Sequence, residues 1–154
     1  MVVVDKGGGI VAIKNMHFHE VSLHGHPATK ARDTRLKKLK KLPTYAKNIG
    51  ADYAVFENLF VVKNRTKTAS SSANRKITRF AKRQLLVHGI IMALKLGLTP
   101  VLVDPRGTTT SEEHERVMKT RGLDKHTASA YLIALRGLGK LISNNIKPYE
   151  ARTP

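Results

Sequence analysis

At 154 residues, 41% hydrophobic and 25% charged, the chain has the size and composition of one soluble globular domain. Twenty-eight Lys and Arg against eleven Asp and Glu leave a formal charge of +17, which makes nucleic acid the expected partner. The lack of cysteine excludes a disulfide framework and a cysteine zinc ribbon, and the lack of a signal peptide, of an apolar run of about 20 residues and of a basic helix with a Trp or Phe row predicts a cytoplasmic protein off the membrane.

Val2 to Val4, Asp5-Lys6-Gly7-Gly8-Gly9 and Ile10 to Ile13 read as a β-hairpin, with glycines supplying the turn between branched aliphatic strands. A third strand is expected over Phe18 to Leu23, which would complete an antiparallel meander. His17 and His19 alternate on it, followed by His24 and His26; they could ligate zinc or nickel, or simply face solvent, and their spacing matches no standard site.

Pro27 opens a helix to about Asn48, with Leu36, Leu39 and Leu42 as its apolar stripe and Pro43 expected to break or kink it. Lys37, Lys38, Lys40 and Lys41 crowd its remaining surface. Tyr53 to Phe56 reads as a buried strand with Glu57 at its end, and Lys63 to Ala73 as a mobile loop carrying Lys63, Arg65 and Lys67. Asn74 can cap a long helix over Arg75 to Leu96, whose apolar face is expected to include Phe80, Leu85, Val87, His88, Ile91 and Leu94.

Pro100 to Asp104 reads as a second buried strand, stopped by Pro105. Thr108 to Ser111 cap a short helix from Glu112 that Gly122 ends. A last helix runs from Asp124 to about Ile142 with Ala128, Tyr131, Leu132, Leu135, Leu138 and Ile142 as its core stripe. The expected fold class is α/β: a mixed sheet with an N-terminal meander and helices on its faces, in one domain over 1–143 with a frayed tail over 144–154.

Glu57 at a strand end and Asp124 at a helix start could meet at one corner of such a sheet. Carboxylates there would hold Mg²⁺ ions about 3.5–4 Å apart across a phosphodiester. Each also has a plainer reading: Asp124 as a helix N-cap, Glu57 as a solvated strand end. Arg106, in the turn after the second buried strand, could hold a phosphate or simply lead into the helix cap.

Phe56-Glu57-Asn58-Leu59, Val103-Asp104-Pro105-Arg106-Gly107-Thr108-Thr109 and Leu123-Asp124-Lys125-His126-Thr127-Ala128-Ser129-Ala130-Tyr131-Leu132 resemble, in order, three motifs of the TnpB-type proteins. These are RuvC-like nucleases encoded by transposons. The resemblance covers Tyr53 to Leu138 and implies an RNase H-like fold that cuts DNA with Mg²⁺ or Mn²⁺, guided by RNA in that family. It makes Glu57 and Asp124 the second and third metal-binding carboxylates and sets Lys37, Lys38, Lys40, Lys41, Lys63, Arg65 and Lys67 along phosphate backbones.

The chain departs from the family in two places. Ser111 to Gly122 stands where the family has its Cys₄ zinc ribbon, and the first-strand carboxylate has only Asp5 to represent it. Asp5 reads better as part of the hairpin turn, in which case the first strand is missing and the sheet keeps an open edge that could pair two copies of the chain. The implied activity is then either a metal-dependent DNA endonuclease with Glu57, Asp124 and Asp5 as its site, or a non-catalytic DNA- or RNA-binding remnant. An RNP accessory protein of unrelated fold is a third reading.

Overall fold

A computed structural model describes residues 1–16, 28–60 and 72–148, except for the side chains of 28, 29, 31 and 72–81. The order is β1 (Val2–Val4), β2 (Ile10–Ile13), α1 (Ala28–Asn48), β3 (Tyr53–Glu57), α2 (Ser72–Lys95), β4 (Thr99–Val103), α3 (Glu112–Arg121) and α4 (Lys125–Ser143). The protein is α/β, but among the described residues its strands form two separate two-stranded sheets instead of one mixed sheet. β1 and β2 are antiparallel; β3 and β4 are parallel, in register from Tyr53–Thr99 to Glu57–Val103. The expected third strand and the Lys63 to Lys67 segment fall outside the described residues.

Local chemistry sets most boundaries. Asp5 closes the hairpin by accepting the Gly7 and Gly9 N–H groups, both at 2.8 Å, while Gly8 supplies a positive φ. Ser111 caps α3 through the His114 N–H, and Gly122 ends it in the left-handed region. Pro43 does not break α1, which runs unbroken through it; α2 starts at Ser72, ahead of the expected Asn74 cap.

The parallel pair is the middle of three layers. Neighbouring side chains on β3 point to opposite faces. Val55 meets α4 at Gly137, where an added Cβ would lie 2.3 Å from Val55 Cγ2, and Phe56 meets α2 at Gly89. α2 therefore covers one face and α4 the other. The buried side of α2 is Leu86, Gly89 and Ala93; Val87, Ile91 and Leu94, expected in the core, are about 40% exposed.

α4 is buried on two sides, not one stripe. Ala128, Tyr131 and Leu132 pack with Val117 of α3 and with Val2, Val4 and Ile10 of the hairpin. Ile133 packs with Val101 and Val103, and Gly137 with Val55. Ile142, assigned to the core from sequence, is 71% exposed because the sheet contacts lie on another face of the helix. The chain beyond α4 is not frayed from its start: Tyr53 donates its hydroxyl to the Ile146 carbonyl at 2.8 Å.

Candidate nucleic-acid interface

The C-terminal ends of β3 and β4 form an edge where ligands gather in open α/β sheets. A wide cleft of about 450 Å³ opens there, lined by Asn58, Leu102, Val103, Asp104, Arg106, Arg136 and Lys140. Three cations face it, each already engaged with the protein. Arg136 donates from Nη1 to the Asp104 and Arg106 carbonyls at 2.7 and 2.6 Å, and Lys140 donates from Nζ to the Leu102 carbonyl at 2.9 Å. Arg106 pairs with the Asp104 carboxylate through its guanidinium and its backbone N–H. The guanidinium bonds and the backbone N–H hold the Asp104 carboxyl below its ordinary range, and Asp104 raises Arg106 in return. The Arg106 side chain is 80% exposed, so a phosphate could reach it in competition with an exposed and weak ion pair. Arg136 and Lys140 on α4 were not picked out from sequence; their spacing of four marks one helix face, but only the packed sheet shows what that face meets.

The second cationic surface is α1. Leu36, Leu39 and Ala46 lie on its sheltered side, whereas Lys30, Lys37, Lys40, Lys41 and Lys47 are exposed. Lys38, grouped with them from sequence, is half-buried. Lys30, Lys37 and Lys41 fall on one face by helical spacing, over about 16 Å at 1.5 Å per residue. Asp33 is the lone acid in the helix.

The three carboxylates do not assemble. Glu57 ends β3 exposed. Asp124 is the N-cap of α4: its Oδ1 accepts the His126 and Thr127 N–H groups at 2.9 and 3.1 Å, and its Oδ2 accepts the Thr127 hydroxyl. Those bonds, the hydroxyl first, lower its pKa. Asp124 also lies near enough to raise the pKa of the Met1 amino group, against the larger lowering by burial. Asp5 sits at the other end of β1, in the turn whose Gly8 carbonyl accepts the Tyr131 hydroxyl. The rise from Met1 to Asp5, about 13 Å for four residues of extended chain, thus separates Asp5 from the Asp124 end, and Asp5 Oδ1 accepts the turn amides of Gly7 and Gly9. Among the described residues, no group of three or more His, Cys, Asp or Glu is placed to hold a metal ion. The fit to a three-carboxylate Mg²⁺ site therefore fails at Asp5. His17, His19, His24 and His26 lie outside the described residues.

One buried polar cluster was not foreseen. His114 of α3 reaches the Lys125 carbonyl at 2.9 Å through Nε2, with Ser129 Oγ 3.2 Å away and itself donating to that carbonyl. The cluster ties α3 to the first turn of α4. Its satisfied bonds give it a structural role, and an isolated His in the run Glu112-Glu113-His114-Glu115 offered no pattern to reveal it.

Among the described residues, no helix is long and apolar enough to cross a membrane. No family model and no solved structure matches the chain. It is 51% identical over 147 residues to an uncharacterized protein of Saccharolobus solfataricus, covering 96% of the chain and 39% of that protein. It is 34% identical over 152 residues to an uncharacterized protein of Aeropyrum pernix (93% of the chain, 40% of that protein), and 35% identical over 147 residues to another from the same organism (90% and 34%). The chain thus spans about two-fifths or less of the length of these relatives.

Proposed function

We propose that this chain is the nucleic-acid-gripping part of an RNase H-like domain related to the TnpB-type, transposase-associated nucleases, acting in the cytoplasm. By itself it binds DNA or RNA along the phosphate backbone without cutting. The observation that carries this reading is the exposed lysine face of α1, with one acid in the whole helix, on a chain of charge +17. Solvated lysines neutralise phosphates and release their counterions on binding. The parallel strand pair ending in Glu57, with α4 packed across it, suits an RNase H-like arrangement. The non-catalytic half of the proposal rests on Asp5, whose carboxylate closes a turn.

The test is a titration of labelled single-stranded and duplex DNA and of RNA with the chain at several salt concentrations, with and without Mg²⁺ or Mn²⁺. Binding should weaken linearly in a log–log plot, with a slope near −0.9 per phosphate contacted on duplex DNA. No cleavage is expected. A flat salt response would overturn the backbone-binding reading. Metal-dependent cutting that Glu57→Ala abolishes would instead restore the endonuclease, with its missing ligand supplied otherwise than by Asp5.

A further inference from the structure

α4 carries both half-sheets, and it fixes their relative direction. Met1 lies toward Asp124 and the hairpin turn toward Tyr131 and Leu135, so β1 runs the same way as α4. Val55 packs at Gly137 and Tyr53 reaches Ile146, so β3 runs the opposite way. β1 and β3 are therefore antipolar. A strand laid between them that is antiparallel to β1 is necessarily parallel to β3, so one segment can satisfy both ladders.

Backbone hydrogen bonds identify the groups that such a strand would meet. Thr99 N–H bonds to the Asp52 carbonyl and Asn58 N–H to the Val103 carbonyl. With the alternation of a parallel ladder, Ala54 and Phe56 face β4, while Tyr53 and Val55 turn their N–H and C=O groups, and Glu57 its N–H, to the other edge; the Glu57 carbonyl already accepts the Leu59 N–H. Met1 and Lys14 exchange both of their bonds. Val3 then also faces β2, and Val2 and Val4 face outward. Among the described residues, neither edge is paired.

The two edges of the parallel pair are treated differently. On the outer edge of β4, Pro100 has no N–H to offer and the Leu102 carbonyl is taken by Lys140. These are devices that blunt an edge against pairing. The edges of β1 and β3 are Val-Val-Val and Tyr-Ala-Val-Phe-Glu, with neither Pro nor Lys and with Glu57, at the very end of β3, as their one charge. Between their footprints on α4 runs a half-buried row, Ala130, Ala134 and Leu138, on the side away from α3. Its spacing of four follows one helix face, and its two alanines allow a backbone to come close.

We propose that the edges of β1 and β3, floored by Ala130, Ala134 and Leu138, receive an extended segment of about six residues from polypeptide outside residues 1–154. The segment adds a strand, parallel to β3 and antiparallel to β1, and joins the two half-sheets into one. Its side chains toward α4 are apolar, and its backbone supplies most of the recognition, as in other cases of strand addition. The source is the region that the relatives carry beyond the matched part, well over half of their length. The inference does not depend on nucleic-acid binding.

The test co-expresses the full chain with the unmatched part of the Saccharolobus solfataricus relative as a separate polypeptide and follows amide hydrogen exchange. The Val4, Val55 and Glu57 amides should exchange fast in the chain alone and at least about tenfold more slowly in a one-to-one complex. Ala134→Arg should abolish complex and protection while leaving circular dichroism unchanged. Slow exchange of these amides in the chain alone would overturn the proposal, because the edges would already be covered. So would protection that appears only on self-association with rising concentration, which would make the occupant a second copy. A complex that leaves the three amides unprotected, or no complex at all, would overturn it too.

Discussion

α1 and α4 are helices of 21 and 19 residues, and both carry cations, but their cations do different things. In α4, Arg136 and Lys140 are bonded to carbonyls of β4 and the turn after it, so their charge helps hold the helix on the sheet. In α1, Lys30, Lys37, Lys40, Lys41 and Lys47 are exposed, and the helix buries little beyond Ala46. Positive charge in this protein is therefore not one feature. Part of it is spent on the fold, and part stands exposed to solvent on α1.

The largest expected effect lies on α4. Gly137→Leu sets a side chain where even a Cβ meets Val55 at 2.3 Å, and should cost about 3 kcal/mol or more by overpacking. At about 2–4 °C per kcal/mol, the melting temperature should fall by roughly 10 °C. Gly139→Ala, two residues on with nothing within 4 Å, should be neutral or stabilise by up to about 1 kcal/mol. Equal effects at the two positions would show that α4 does not sit on β3 as described.

Next comes α1. Changing Lys30, Lys37, Lys40 and Lys41 together to Gln should leave the melting temperature in place. It should weaken duplex DNA binding at low salt by about one to two orders of magnitude and flatten the salt slope by up to about 0.9 per lost phosphate contact. Removing Arg136 or Lys140 should do the reverse, lowering stability first. A loss of stability from the α1 changes, with no change in binding, would erase the contrast between the helices.

Tyr131→Phe tests the other footprint of α4. It removes the hydroxyl that the buried Gly8 carbonyl accepts at 2.8 Å, at a cost of about 1–1.5 kcal/mol in a denaturant titration. No measurable loss would mean that the hairpin is not anchored to α4 at that bond.

What the sequence revealed follows the same division between local and tertiary causes. The hairpin, the β3 strand, the Ser111 and Asp124 caps and the Gly122 stop were legible because each rests on chemistry within a few residues. The two-sided burial of α4 was not: Ile133 and Gly137 look ordinary until a sheet is laid against them. The face of α2 misled for the converse reason, since apolar Val87, Ile91 and Leu94 are spaced like a core and yet lie exposed. Of the carboxylates, position in the chain located the ends of elements well. It left both a metal-binding and a local reading open for Asp5 and Asp124, and the bonds observed are the local ones: Asp5 Oδ1 accepts two turn amides, and Asp124 caps its own helix.

That last point carries the smallest effect and a definite sign. Asp124 is held below its ordinary pKa by the Thr127 hydroxyl and by the Thr127 and His126 N–H groups. A depressed carboxyl stabilises the fold above its unfolded pKa, near 4, and that contribution is lost as pH falls through the lower folded value. Asn at position 124 can still accept N–H bonds but has no charge to lose. Asp124→Asn should therefore melt slightly lower than the parent at neutral pH, with the two curves converging as the pH drops below about 4. Asp104, lowered by Arg106, titrates in the same direction and remains in both proteins, so the difference between the curves isolates the cap. Curves that stay parallel across the acid range would mean that the carboxylate of Asp124 is not bound by its own helix and is free to serve a metal.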